Sequence, residues 1–140
     1  MKKIDLSIMS YRKVGIEIEI LDNFNIPWTV KTKQTSLLNG YILNQKELVE
    51  RTKAVFEDNE IHVIPVTYSL PLKNITSLWI TEQMKLYKVS KKDLLKQLGI
   101  GKNEIDQILK GHKIINNAEK AAFFYYFLTH QINTEMRNLD

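Results

Sequence analysis

The sequence predicts an α+β protein, with a small strand-and-helix unit over residues 1–74 followed by an all-α unit of four helices over residues 75–140. Three observations carry this expectation. Val14 to Ile20 alternates strictly between apolar and polar residues, and β-branched segments continue as far as Tyr68. Beyond Leu70-Pro71-Leu72-Lys73-Asn74, which reads as a connector, the hydrophobic period changes from that of a strand to that of a helix and stays so to the C-terminus.

In the first strand Val14, Ile16, Ile18 and Ile20 share one face and Gly15, Glu17 and Glu19 the other, the pattern of a half-exposed strand. Trp28 to Leu38 is extended and runs into Asn39-Gly40 and Tyr41-Ile42-Leu43; Asn-Gly suits a two-residue hairpin turn. Asn44, with Glu47 three residues on, then opens an amphipathic helix from Gln45 to about Asp58 that carries Leu48, Thr52, Val55 and Phe56 at helical spacing. Ile61 to Tyr68 is β-branched on both faces, and Pro65 places it at an edge or a bulge because proline cannot donate to a ladder.

The second unit reads as helices Ser77–Tyr87, Lys91–Leu98, Lys102–Lys110 and Ala118 to about Arg137, with Thr76, Ser90 and Asn117 as caps of the first, second and fourth. Gly99 and Gly111 end the second and third, where a left-handed residue is wanted. Two short helices joined by a tight glycine turn must pack across each other. Leu94 and Leu98 supply one side of that packing, Ile100 fills the turn, and Ile105, Ile108 and Leu109 supply the other side. Lys102, Asn103, Asp106, Gln107 and Lys110 are left pointing outward on a polar, hydrogen-bonding face.

Composition bounds the possibilities. With 44% hydrophobic residues the chain can bury a core without a metal or disulfide, and with no cysteine it has neither a disulfide nor a thiolate nucleophile. No secretory or membrane segment is expected: Met1 to Leu6 has no apolar middle section, and the longest apolar run, Ala121 to Leu128, falls far short of the roughly 20 residues that span a bilayer. A cytoplasmic location is expected. The net charge of +4 is unevenly spread, since residues 75–113 hold eight lysines against four carboxylates while residues 1–74 are nearly balanced.

The stretch "VSKKDLLKQLGIGKNEIDQILKGHK", Val89 to Lys113, resembles the lambda-repressor-like helix-turn-helix family. The match extends more loosely from Leu78 to Leu128, and the helical unit also resembles, less closely, small helix-turn-helix proteins of bacterial mobile elements. The resemblance implies a DNA-binding transcriptional regulator. It implies that Asn103 and Gln107, whose carboxamides can form paired hydrogen bonds with adenine, face base edges, with Lys102 at the start of the reading helix. Asp106 lies beside them, able to accept a bond from cytosine. Lys91 and Lys92 at the start of the preceding helix, and Lys110 and Lys113 around the glycine loop, would hold phosphates. Two departures stand out. Leu95 occupies a place where the family has a small residue, implying a wider crossing, and Glu104 and Asp106 bring carboxylates that would repel phosphates.

Phe123, Phe124, Tyr125, Tyr126 and Phe127 are consecutive, and five consecutive helical residues cover more than one face. A second apolar surface is therefore expected, covered by the N-terminal unit or by another subunit. His62, His112 and His130 fall in a strand, a loop and a helix without metal-ligand spacing, so no metal or cofactor is expected. Glu17 and Glu19 share a strand face, as solvated residues do, and no catalytic motif is present. The expected function is sequence-specific binding of double-stranded DNA by a homodimer with no membrane role. The main alternative is an antitoxin-like protein-interaction module that keeps the fold without DNA contact. An enzyme seated in residues 1–74 ranks third, and the absence of any pocket there larger than a few water molecules would remove it.

Overall fold

The computed structural model describes residues 3–37 and 40–138. The α+β layout is observed, and the chain divides into units of residues 1–69 and 70–140, a few residues ahead of the boundary read from the connector.

The first unit runs α1 (Lys3–Lys13), β1 (Ile16–Asp22), β2 (Trp28–Gln34), α2 (Gln45–Val55) and β3 (Ile61–Val66). The sheet order is β1-β2-β3, with β1 and β2 antiparallel and β2 and β3 parallel. A parallel pair needs a crossover, and α2 supplies it. Pro65 does sit on an edge strand. Ile16, Ile18, Val30, Leu43, Leu48 and Phe56 form the core, with Ile4, Ile8 and Tyr11 of α1 packed against it. On the opposite sheet face Glu17 lies across from Lys33 and Glu19 across from Lys31, so these carboxylates have a solvated strand face with opposite charges facing them.

Three sequence expectations are corrected here. The first strand begins at Ile16 rather than Val14, because Gly15 adopts φ +84° at the turn out of α1 and leaves Val14 exposed. A β-carbon on Gly15 would come within 2.1 Å of the Ser36 hydroxyl. The helix α1 was not foreseen, although Ile4, Ile8 and Tyr11 have the spacing of one helical stripe. The hairpin expected at Asn39-Gly40 gains no second strand among the described residues, since 41–43 belong to no strand, and Leu38 and Asn39 lie outside those residues. Both edges of β2 are already taken, by β1 and β3. The buried Gln34 side chain serves the segment instead. Its Nε2 donates to Tyr41 O at 2.7 Å and its Oε1 accepts from Leu43 N at 2.9 Å. The hairpin that exists joins β1 to β2, where the Asp22 carboxylate accepts from Phe24 N at 2.9 Å.

The cap of α2 is as expected, with Asn44 Oδ1 accepting from Glu47 N at 2.8 Å and Glu47 Oε1 from Asn44 N at 3.1 Å. The α-helix stops at Val55 rather than Asp58.

The second unit opens with a short 3-10 turn at Leu72–Asn74, followed by α3 (Ser77–Tyr87), α4 (Lys91–Leu98), α5 (Lys102–Leu109) and α6 (Asn117–Asn138). Thr76 and Ser90 cap α3 and α4, and Ser90 does so in a reciprocal box with Asp93. The cap of α6 is Asn116 rather than Asn117: Asn116 Oδ1 accepts from Glu119 N at 2.8 Å and Glu119 Oε1 from Asn116 N at 3.1 Å. Ile80, Val89, Leu94, Ile105, Ile108, Ile115, Phe123 and Phe127 form the core, with Leu95, Leu98, Ile100 and Leu109 half-buried around it.

The aromatic run is largely accommodated within this unit. Phe123 and Phe127 are buried, Phe124 stacks on Trp79 with centroids 6.4 Å apart, and Tyr126 packs edge-on to Phe127 at 5.1 Å and donates to Gln97 Oε1. Tyr125 is the exposed member. The run's second face is therefore met by α3 and α4, and does not by itself demand a further subunit. Among the described residues no helix is long and apolar enough to cross a membrane.

Candidate nucleic-acid interface

The feature that positions the candidate site is the pair α4 and α5. Gly99, in the left-handed conformation at φ 69°, ends α4, and Gly101 opens α5 two residues later. Leu94 on α4 and Ile105 and Ile108 on α5 are buried in one core, which fixes how the two helices face each other. Ser77 Oγ donates to Ile108 O at 2.6 Å and ties α3 to the same helix. At the far end, His112 N donates to Gln107 O at 2.9 Å and Gly111 N to Ile108 O at 3.1 Å. This bond pair turns the chain sharply towards Lys113.

With successive residues of a helix about 100° apart, burying Ile105, Ile108 and Leu109 puts Asn103, Gln107 and Lys110 at the outermost ridge of α5. All three are exposed, as is Lys102 at the first turn. Asp106 and Glu104 fall on opposite flanks of that ridge, and both are half-buried.

Each flanking carboxylate is held by a lysine that sequence reasoning assigned to phosphate. On one flank Lys91 Nζ of α4 lies 3.0 Å from Asp106 Oδ1. The hydrogen bond from Lys91 holds the Asp106 carboxyl below its ordinary value, against some loss of hydration. On the other flank Lys113 Nζ is bonded to Glu104 Oε1 and lies 3.0 Å from Glu119 Oε2. Bonds to Glu104 and Glu119 raise the Lys113 ammonium above its ordinary value. Partial burial pushes the Glu119 carboxyl up, but bonds from Lys113 and from Asn116 N outweigh it, so Glu119 is lowered on balance.

The fold therefore brings Lys102, Asn103, Asp106, Gln107, Lys91, Lys92, Lys110 and Lys113 into one helical unit but sorts them into two groups. Asn103 and Gln107 stand open with Lys102 and Lys110 beside them, and neither of those lysines, nor Lys92, makes an ion pair within 4.0 Å among the described residues. Lys91, Lys113 and Asp106 are engaged with partners inside the chain. The residue that sequence reasoning missed is Glu119. Its signal was the Asn-x-x-Glu spacing from Asn116, which marks a capping box.

His130 is stacked on Tyr87 at 5.9 Å and meets Tyr126 edge-on at 4.8 Å. In residues 1–69, open depressions of about 340 and 190 Å³ lie at the end of α2, around Phe56, Glu57 and Asn59. They exceed a few water molecules in size, so size does not remove the enzyme reading.

Comparison with protein-family models, with curated proteins and with solved structures finds no match to this chain.

Proposed function

We propose that this chain is a cytoplasmic, sequence-specific DNA-binding regulator of the bacterial or mobile-element type, and that it lays α5 in the major groove as a homodimer. One observation carries the reading: the outermost ridge of α5, across a glycine turn from α4, is exposed and presents two carboxamides beside lysines that make no ion pair among the described residues. Lys92 at the start of α4 and Lys110 at the end of α5 supply phosphate contacts, and residues 1–69 dimerise or sense an effector. Symmetric operators are read by two-fold dimers, so sedimentation of the free protein at micromolar concentration should give twice 16.4 kDa.

The pairing of Lys91 and Lys113 with carboxylates favours a second reading, an antitoxin-like interaction module that keeps the fold without DNA contact. Fluorescence anisotropy with a random-sequence duplex at low salt separates the two. Binding that weakens steeply as salt rises supports the DNA reading. No binding at any salt concentration replaces it with the interaction module.

A further inference from the structure

We infer that this chain reads adenine through the carboxamide pair Asn103 and Gln107, and that the Lys91 pair withdraws Asp106 from base reading. The inference rests on the DNA-binding reading above and names the bases that reading leaves open.

Four outward residues of α5 were candidates for base contact: Lys102, Asn103, Asp106 and Gln107. Their surroundings separate them. Asn103 and Gln107 lie one helical turn apart on the exposed ridge. A carboxamide carries a donor and an acceptor side by side, which matches N6 and N7 of adenine in the major groove. Positions one turn apart on a helix have β-carbons about 5–6 Å apart. Base pairs rise by about 3.4 Å, so the two side chains address neighbouring or next-neighbouring pairs.

Asp106 would take the amino group of cytosine if it were free. It sits on the flank facing α4, and its Oδ1 accepts from Lys91 Nζ at 3.0 Å. That bond occupies Oδ1 and holds the carboxylate on the α4 flank, off the exposed ridge, so a base could be met only by Oδ2 and only from the side of the ridge. Glu104, on the other flank, is held by Lys113. The carboxylates that sequence reasoning set against DNA binding are thus both engaged inside the chain, Asp106 with an ammonium of its own and Glu104 with one that it shares with Glu119, and the ridge between them carries no carboxylate.

The test is selection on a random duplex pool with the full chain, repeated with Asn103→Ala, Gln107→Ala and Asp106→Asn, each checked for helical content by circular dichroism. The expected consensus holds adenines, on either strand, at two positions no more than two steps apart. Each alanine substitution should relax one of them and lower affinity for the consensus roughly 5- to 150-fold. Asp106→Asn should leave the consensus unchanged. A cytosine position that Asp106→Asn abolishes overturns the inference, as does a consensus that survives both alanine substitutions. A chain that binds the pool but enriches no sequence overturns the adenine reading while DNA binding stands. A chain that binds no duplex overturns both.

Discussion

The ammonium of Lys91, the first residue of α4, lies 3.0 Å from the carboxylate of Asp106, in the second turn of α5, and so ties together the two helices that flank the glycine turn. The contact is partly exposed, with 57% of the lysine side chain and 25% of the aspartate side chain accessible. Its consequence is more for charge placement than for stability, since exposed pairs contribute little. It decides which charges of the helical unit remain available to a polyanion.

The first prediction concerns pH. Asp106 has a lowered pKa in the folded chain, so the stability it contributes is present above its ordinary value of 3.8 and is lost as pH falls through the lower folded value. Lys113 has a raised pKa, so its contribution is complete below 10.5 and is lost as pH rises through the higher folded value. Urea midpoints of wild type and Asp106→Asn should therefore differ at neutral pH and converge on acidification below about pH 4. A gap that widens on acidification would show that the pair does not stabilise the fold.

A second prediction separates bound lysines from available ones. If both clamps stay closed on DNA, the charge-neutral double substitution Lys91→Met/Asp106→Asn should leave the log-log salt slope of duplex binding unchanged. Lys92→Ala and Lys110→Ala should each flatten it by about 0.9. A double variant that also loses about 0.9 would mean that Lys91 leaves Asp106 for a phosphate when DNA binds.

Gly15→Ala should destabilise the N-terminal unit. The backbone there has φ +84°, and the added carbon would meet Ser36 Oγ at 2.1 Å and Ser36 O at 2.9 Å. The left-handed conformation alone costs an alanine about 1–2 kcal/mol, and the clash adds to it. Chemical denaturation monitored by tryptophan fluorescence reads the change, and a midpoint equal to wild type would show that the turn rearranges freely.

Gln34→Leu should be worse than its apolar character suggests. Leucine fills a similar volume but leaves the Leu43 N–H and Tyr41 C=O without the side-chain partner they have now. An unsatisfied buried polar group costs about 1–3 kcal/mol. Hydrogen exchange at the Leu43 amide should accelerate sharply, and protection equal to wild type would mean that another acceptor takes over.

Some of this was legible in the sequence because it is decided within a few residues. The box Asn44–Glu47, the Ser90 cap, the left-handed glycine after α4 and the alternation of Ile16 to Ile20 depend on local backbone geometry and on a period, and both are written in consecutive residues. The outward face of α5 followed for the same reason. Where sequence reasoning went astray, the outcome depended on what already occupied a neighbouring position. Asn39-Gly40 is a sound hairpin signal, but β2 had no free edge, and a side chain from Gln34 took the hydrogen bonds that a strand would have made. The aromatic run looked too broad for one core until α3 and α4 brought Trp79 and Gln97 against its second face. Glu104 and Asp106 looked like obstacles to a polyanion because their sequence neighbours do not include Lys113 and Lys91, which lie 9 and 15 residues away. Local conformation is set by short-range sterics and capping. Which charges cancel, and which side chains stay open to a ligand, is set by distances that exist only once the helices have packed.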